Sequence, residues 1–306
     1  MQEIIDFTNA KQIINKYSGA DTKKTIIYED KYYLLKFPNY AKQNAEASYS
    51  NNIFSEYLGC HIFNSIGVKA QNTILGIYRQ ENGQTKNVCA CEDFTGNGFR
   101  LVEFQNLKNS YPETPSSSNG RNTALDEIIE VIEKHSDIKK EKETLKEYFW
   151  NIFIIDALIG NYDRHNGNWG ILVNDITGRI KMAPVYDCGS CLCSQLTDEQ
   201  IEKIIDDKAE INERIYNKPT STITENGKRI NYYEFISSLK NEDCNEALRR
   251  VFSRVDMAKI ESEIDNMPII SEVRKRFYKD LLWGRYEIIL RESYNKLVEK
   301  SIDNIN

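Results

Sequence analysis

Between residues 149 and 175 the chain reads FWNIFIIDALIGNYDRHNGNWGILVND, a nearly all-apolar helical run that passes through a polar loop into a strand. A helix that is apolar on every side has to be buried, so this run sets the centre of whatever the chain folds into. The strand from Trp169 to Val173 reaches the turn Asp175, Ile176, Thr177 and Gly178, and a second strand runs from Arg179 to Tyr186, which predicts one β-hairpin. Residues equidistant from the turn of an antiparallel pair face one another, so Asn168 before the first strand and Asp187 after the second are expected to converge. An amide oxygen beside a carboxylate, with room for water and phosphate, suits magnesium bound to a nucleotide. Asp163 precedes Asn168 in the spacing D-x-x-x-x-N. In phosphoryl transfer that spacing lets the Asp orient a hydroxyl and accept its proton while the Asn holds metal. Such a match is common by chance among loop residues; the buried helix before it and the returning Asp187 give it weight. His165 is read as fixing this loop by hydrogen bonding, because Asp163 already supplies the proton acceptor.

Composition excludes several other readings. At 306 residues the chain is too long for one small core, and two lobes are expected. Its 40% apolar and 28% charged residues are those of a folded globular protein. No segment approaches the ~20 consecutive apolar residues of a membrane span, and the start lacks a signal-peptide layout. A cytoplasmic protein that does not bind membrane is the expectation, with export by a non-classical route left open. The net charge of −6 speaks against nucleic acid as a direct partner, which needs a basic surface. Seven cysteines, an odd number, read as free thiols. Cys188, Cys191 and Cys193 cluster, but a tetrahedral structural zinc needs four ligands, and no second CxxC pair completes one.

The first hundred residues read as strands with one helix and the remainder as mainly helical. Thr25 to Tyr28 and Tyr32 to Phe37 form a hairpin about Glu29 and Asp30, and Asn72 to Tyr78 and Lys86 to Cys91 form another about Gly83. A helix is expected from Ala45 to Ile66, closed by Gly67. Further helices are expected at 123 to 135, 143 to 160, 197 to 215, 232 to 250, 255 to 266 and 271 to 299. SYPETPSSSNGR, 110 to 121, reads as an exposed loop. Lys36 shares a strand face with Tyr32 and Leu34. Glu56 falls on a helical stripe with Ile53, Cys60 and Phe63. Pairing Lys36 with Glu56 would satisfy both charges and grip phosphates; equally, Lys36 could reach solvent and Glu56 lie on a helix rim. Ser18, Gly19 and Ala20, with Lys23, make a Gly-containing turn before the first strand, either over phosphates or an ordinary surface turn.

These pieces resemble the HipA-like kinases, bacterial serine/threonine kinases of the protein-kinase-like superfamily. SGADTKK at 18 to 24 is similar to the family's SGAQxK phosphate loop, and YYLLKFP at 32 to 38 to its lysine strand. CEDF at 91 to 94 is similar to the ERFD hinge, DRHNGN at 163 to 168 to the D-x-H-x-x-N loop, and APVYDCGS at 183 to 190 to the metal-Asp segment. The resemblance implies an α+β, bilobal protein-kinase-like (HipA-like) fold, with a small β-rich N-lobe carrying one helix at 1–94 and a larger, mainly helical C-lobe at 95–306. It implies transfer of the γ-phosphoryl group of ATP, with Mg2+, to a protein Ser or Thr hydroxyl, and autophosphorylation with Ser18 as the matching hydroxyl. Catalytic roles fall on Asp163, Asn168 and Lys36, and metal ligation on Asn168 and Asp187. Nucleotide contacts fall on Ser18, Gly19, Ala20, Lys23, Lys36, Glu56, Glu92, Phe94, His165, Asn168 and Asp187. This chain departs from the pattern at Asp21, where the loop has Gln, and at Cys188, where many kinases have Phe. It is similar to a compact form of the family without the additional N-terminal subdomain of HipA, which a separate partner chain would then supply; an antitoxin is a further partner that the resemblance implies. A lipid or small-molecule kinase, and a nucleotide-binding pseudokinase acting as an interaction module, are the alternatives.

Overall fold

The computed structural model describes residues 4–14, 23–38, 52–114 and 118–303. It divides into two compact units: Met1–Phe94 with Asp187–Ile211 and Asp256–Leu281, and Thr95–Tyr186 with Asn212–Val255 and Leu282–Asn306.

In the first unit, β1 (Ile5–Asp6), β2 (Lys11–Ile13), β3 (Lys23–Tyr28), β4 (Lys31–Lys36), β5 (Thr73–Arg79) and β6 (Thr85–Glu92) make one sheet in the order β1-β5-β6-β4-β3-β2. Its neighbours are antiparallel except β1 and β5. Four of these strands are the predicted hairpins; β1 and β2 are too short for an alternation to show. The β3–β4 turn puts Glu29 and Asp30 at φ 47° and 58°, the left-handed pair whose twist suits a two-residue hairpin. Tyr33, Leu35 and Phe37 pack on one sheet face with Phe7, Ile26, Tyr78, Val88 and Ala90. By the period of two, Leu34 and Lys36 face the other way, and their cross-strand partners Cys91 and Cys89 share that face.

Helix α1 (Asn52–Ser65) covers this second face. Its expected start at Ala45 lies outside the described residues, and Gly67 follows its end at φ +83°. Ile53 through Cys60 are all buried, so the predicted single stripe gives way to burial all round. Gly59 is required here: a Cβ on it would stand 2.7 Å from the Cβ of Cys188. Helices α5 (Asp198–Ile204) and α9 (Met257–Asn266) belong to the same unit, with the greater part of α10 (Glu272–Arg285).

The second unit is built on α4 (Lys142–Ile159), in which every residue from Tyr148 to Ile159 is buried, as the apolar run requires. Rings of Phe149, Trp150 and Phe153 meet Trp169, Phe235 and Tyr232. Strands β7 (Phe99–Glu103), β8 (Gly170–Asn174) and β9 (Ile180–Met182) form an antiparallel sheet with β8 central. The β8–β9 pair is the predicted hairpin, but β9 stops short of Tyr186, ahead of Pro184, which has no N–H to give. Around them lie α2 (Phe104–Ser110), α3 (Leu125–Lys134), α7 (Tyr232–Ser238), α8 (Glu242–Phe252), α11 (Glu292–Asp303) and the hairpin β10 (Thr220–Glu225) and β11 (Lys228–Asn231).

Three predicted helices arrive in pieces, each for a local reason. Asp207 accepts from the N–H groups of Ala209 and Glu210 and starts α6 (Lys208–Tyr216) afresh after α5. Leu239 is left-handed and Asn241 caps α8 through Cys244 N at 2.9 Å, which separates α7 from α8. After Arg285 a π-helical stretch over Tyr286–Arg291 precedes α11. Among the described residues no helix is long and apolar enough to cross a membrane.

Candidate active site

Lys36, at the end of β4, has its Nζ 2.9 Å from Glu56 Oε2 and 2.8 Å from Asp187 Oδ1. The side chain of Glu56 is 1% exposed and that of Lys36 15%. The contact with Asp187 is a hydrogen bond, whereas neither oxygen of Glu56 receives an aligned one. Attraction between full charges does not need alignment, so the short distance makes this an ion pair while leaving Glu56 able to accept a further donor. Burial alone would push the Lys36 ammonium's pKa down; the carboxylates of Asp187 and Glu56, with Cys91 adding, outweigh it and hold the group well above the usual lysine range. Lys36 is therefore a fixed cation. Asp187 sits at φ +57°, a left-handed backbone that costs an L-residue roughly 1 kcal/mol and gathers at functional positions.

The cysteines around it pack into the interior of the unit, Cys193 excepted, which is half-buried. All seven are free. Cys191 donates to Ser55 O, and Ser55 Oγ donates to Cys191 O at 2.8 Å. A hydrogen bond with Cys188, together with burial, pushes the Cys60 thiol well up, and burial does the same to Cys89 beside Cys91. These thiols stay protonated.

In the second unit, α4 ends on Gly160 at φ 65° and ψ 47°, where a Cβ would fall 2.5 Å from the Arg285 guanidinium. Only glycine meets both conditions. The loop that follows is tied to a carboxylate inside α4. Asp156, fully buried, accepts from Arg164 Nε at 2.9 Å, from Arg164 Nη2 at 3.2 Å and from Asn161 Nδ2 at 3.1 Å. Burial still pushes its carboxyl above the ordinary range, which Arg164 and Asn161 only partly oppose. Arg164 also donates through Nη1 to the carbonyls of Asn168, at 3.0 Å, and of Tyr186. Tyr186 returns its hydroxyl to Gly167 O at 3.0 Å. One guanidinium thus joins α4, the loop and the residue covalently preceding Asp187. Neither Asp156 nor Arg164 was singled out from sequence, although a lone carboxylate within a dozen apolar helical positions is a signal that a cation must be found for it.

Asp163 takes its N–H to Asn161 Oδ1 at 3.1 Å, and its carbonyl accepts from Asn168 Nδ2 at 2.9 Å and His165 N at 2.9 Å. The two ends of the D-x-x-x-x-N string are thus locked together through main chain and amide. The Nδ1 of His165 accepts from Gly167 N at 3.0 Å, a loop-fixing contact. Asn166 donates to the carbonyls of Gly120 and Asn122, both at 2.8 Å. Elsewhere, Glu92 pairs with Lys31 at 3.0 Å and accepts from Asn72 at 3.2 Å, Phe94 follows β6, and Lys23 stands opposite Lys36 in the β3–β4 register. Ser18, Gly19 and Ala20 lie outside the described residues.

Comparison with known proteins identifies relatives of the chain. The serine/threonine-protein kinase CtkA of Helicobacter pylori strain J99 is 41% identical over 303 residues, 98% of this chain and 90% of that protein. The crystal structure of a Helicobacter pylori proinflammatory kinase CtkA superposes with a TM-score of 0.89 at 40% identity, over 98% of this chain and 99% of the other. HipA of Shewanella oneidensis, in a complex with HipB and operator DNA, shares the fold at a TM-score of 0.50 and 14% identity, over 92% of this chain and 68% of that one. A family model, the HipA-like C-terminal domain, matches residues 16–259. With that match across most of its length, and a kinase relative over nearly all of it, the chain belongs to the HipA-like C-terminal domain family.

Proposed function

We propose that this kinase transfers the γ-phosphoryl group of ATP, with magnesium, to a Ser or Thr hydroxyl of a protein, residues 1–94 forming the nucleotide-gripping lobe and 95–306 the lobe with the catalytic loop. The observation that carries the reading is Lys36, a largely enclosed ammonium held by two carboxylates, one of which lacks an aligned donor. Lys36 takes the α and β phosphates, and Glu56 keeps its ammonium in place. Metal ligation is assigned to Asn168 and Asp187: Asn168 commits its Nδ2 to Asp163 O, which leaves Oδ1 as an oxygen ligand, and oxygen ligands such as this and a carboxylate suit a hard cation. Magnesium, when bound, offsets charge on the transferring phosphoryl group. Asp163 orients the acceptor hydroxyl and takes its proton, while His165 holds the loop's shape. The family resemblance assigns phosphate contacts to Ser18, Gly19, Ala20 and Lys23, adenine contacts to Glu92 and Phe94, and autophosphorylation to Ser18. Positioning and electrostatics supply nearly all the rate in this reaction class.

The test is incubation with γ-labelled ATP and magnesium, with mass spectrometry for phosphate on Ser18 and on added acceptor protein. Asp163→Ala is expected to abolish transfer and leave nucleotide affinity within about twofold. Turnover by that variant equal to the wild type's would refute the assignment.

A further inference from the structure

The hairpin β10–β11 was not anticipated from sequence, and its Arg229 reaches the catalytic loop. Arg229 Nη2 donates to the carbonyl of Tyr162, the residue before Asp163. Its Nε donates to Ser221 O at 2.8 Å, so the guanidinium is fixed to its own hairpin before it meets the loop. Three positions on, at the start of α7, the fully buried Tyr232 donates its hydroxyl to Asn161 O at 2.7 Å. Burial pushes that phenol far up, so it remains a donor at any working pH. With the bonds already described to Asp163 O, each carbonyl from Asn161 to Asp163 is held by a side chain or amide of its own.

Tyr232 is accounted for by the core it fills, but Arg229 is not. It is an exposed residue on the wall of a groove of about 560 Å³, beside Lys228, Phe235 and Ser238. An exposed arginine gains little from burial, yet this one commits two donors to main-chain carbonyls, one of them next to Asp163. We propose that Arg229 is a positioning residue for the reaction: it acts through the Tyr162 carbonyl to set where the Asp163 carboxylate points. This rests on the assignment of Asp163 under Proposed function. Displacement of a catalytic group by about 1 Å can cost roughly 100-fold in rate, so the effect belongs in kcat and not in ATP affinity.

Two measurements on the full chain test it with Arg229→Ala, Arg229→Gln and Arg229→Lys. Hydrogen exchange of a peptide spanning 160–166 is expected to quicken several-fold in the Ala and Gln variants, and to stay near wild type for Lys, whether or not turnover is measurable; unchanged exchange in all three overturns the proposal. With γ-labelled ATP and dephosphorylated casein as acceptor, Arg229→Ala is expected to lower kcat about 10- to 100-fold, with KM for ATP within about twofold and partial recovery by Lys. Wild-type kcat in the Ala variant, or a loss matched by an equal fall in ATP affinity and in melting temperature, also overturns it. Absence of labelling by the wild type would count against the Asp163 reading alone, and the exchange result would still decide whether Arg229 holds the loop.

Discussion

Asp156 shows how one residue can organise a reactive loop without meeting substrate. Taking a carboxylate into an apolar helix is costly, and the cost is met only where the guanidinium of Arg164 approaches with two N–H groups. Because Arg164 also holds the carbonyls of Asn168 and Tyr186, removing its anion frees the loop as well as the charge. Asp156→Ala is expected to destabilise the protein by about 3–5 kcal/mol, read as a fall in the urea midpoint. Arg164→Lys, which keeps the charge but not the fork, should stay folded yet lose most of its turnover. Full turnover in the Lys variant would show that the fork is not needed to shape the loop.

At the scale of elements, what could be read from the sequence divides by kind of signal. Turn chemistry was legible: Glu29–Asp30 and Gly83 located both hairpins, and the continuous apolar run located α4. Helix interruptions were hidden, because Asp207 and Asn241 are ordinary polar residues whose capping role depends on which N–H groups they face. The β10–β11 hairpin, TSTITE and KRIN, carries too many polar residues to read as strands, so Arg229 went unnoticed with it. Lys36 and Glu56 could be paired from their positions on strand and helix, while Asp156 acts through the Arg164 guanidinium, and Arg164 and Tyr232 through main-chain carbonyls, none of which a motif records. Between α3 and α4, Glu133 accepts from Lys146 at 2.7 Å and Lys142 at 3.0 Å, and these bonds hold its carboxyl below the ordinary range. A carboxylate depressed on folding adds stability that is whole above its unfolded pKa of about 4.3 and fades as pH falls through the folded value. Glu133→Gln should thus lower the melting temperature by roughly 1–3 °C at pH 7, and the gap should close near pH 3. A gap that persists at low pH would assign the effect to packing.

For the whole molecule, family and fold were legible because the two hairpins, the loop 163–168 and the segment 183–190 each kept local patterns in one order along the chain. Ligand linkage is the natural test of the nucleotide reading. A ligand that binds only the folded protein stabilises it by about 2.7 kcal/mol at a hundredfold excess over its Kd, which for a protein of this size is several degrees in melting temperature. ATP with magnesium is therefore expected to raise the melting temperature by roughly 3–5 °C. Lys36→Met should remove most of that rise, since it leaves Glu56 and Asp187 as two carboxylates that repel phosphate. Adding a chelator should shrink the rise with ATP while leaving the ligand-free melting temperature nearly unchanged, and Asp187→Ala, which also removes a partner of Lys36, should shrink the rise measured from its own ligand-free value. A rise of the same size with and without chelator would take the metal out of the nucleotide site.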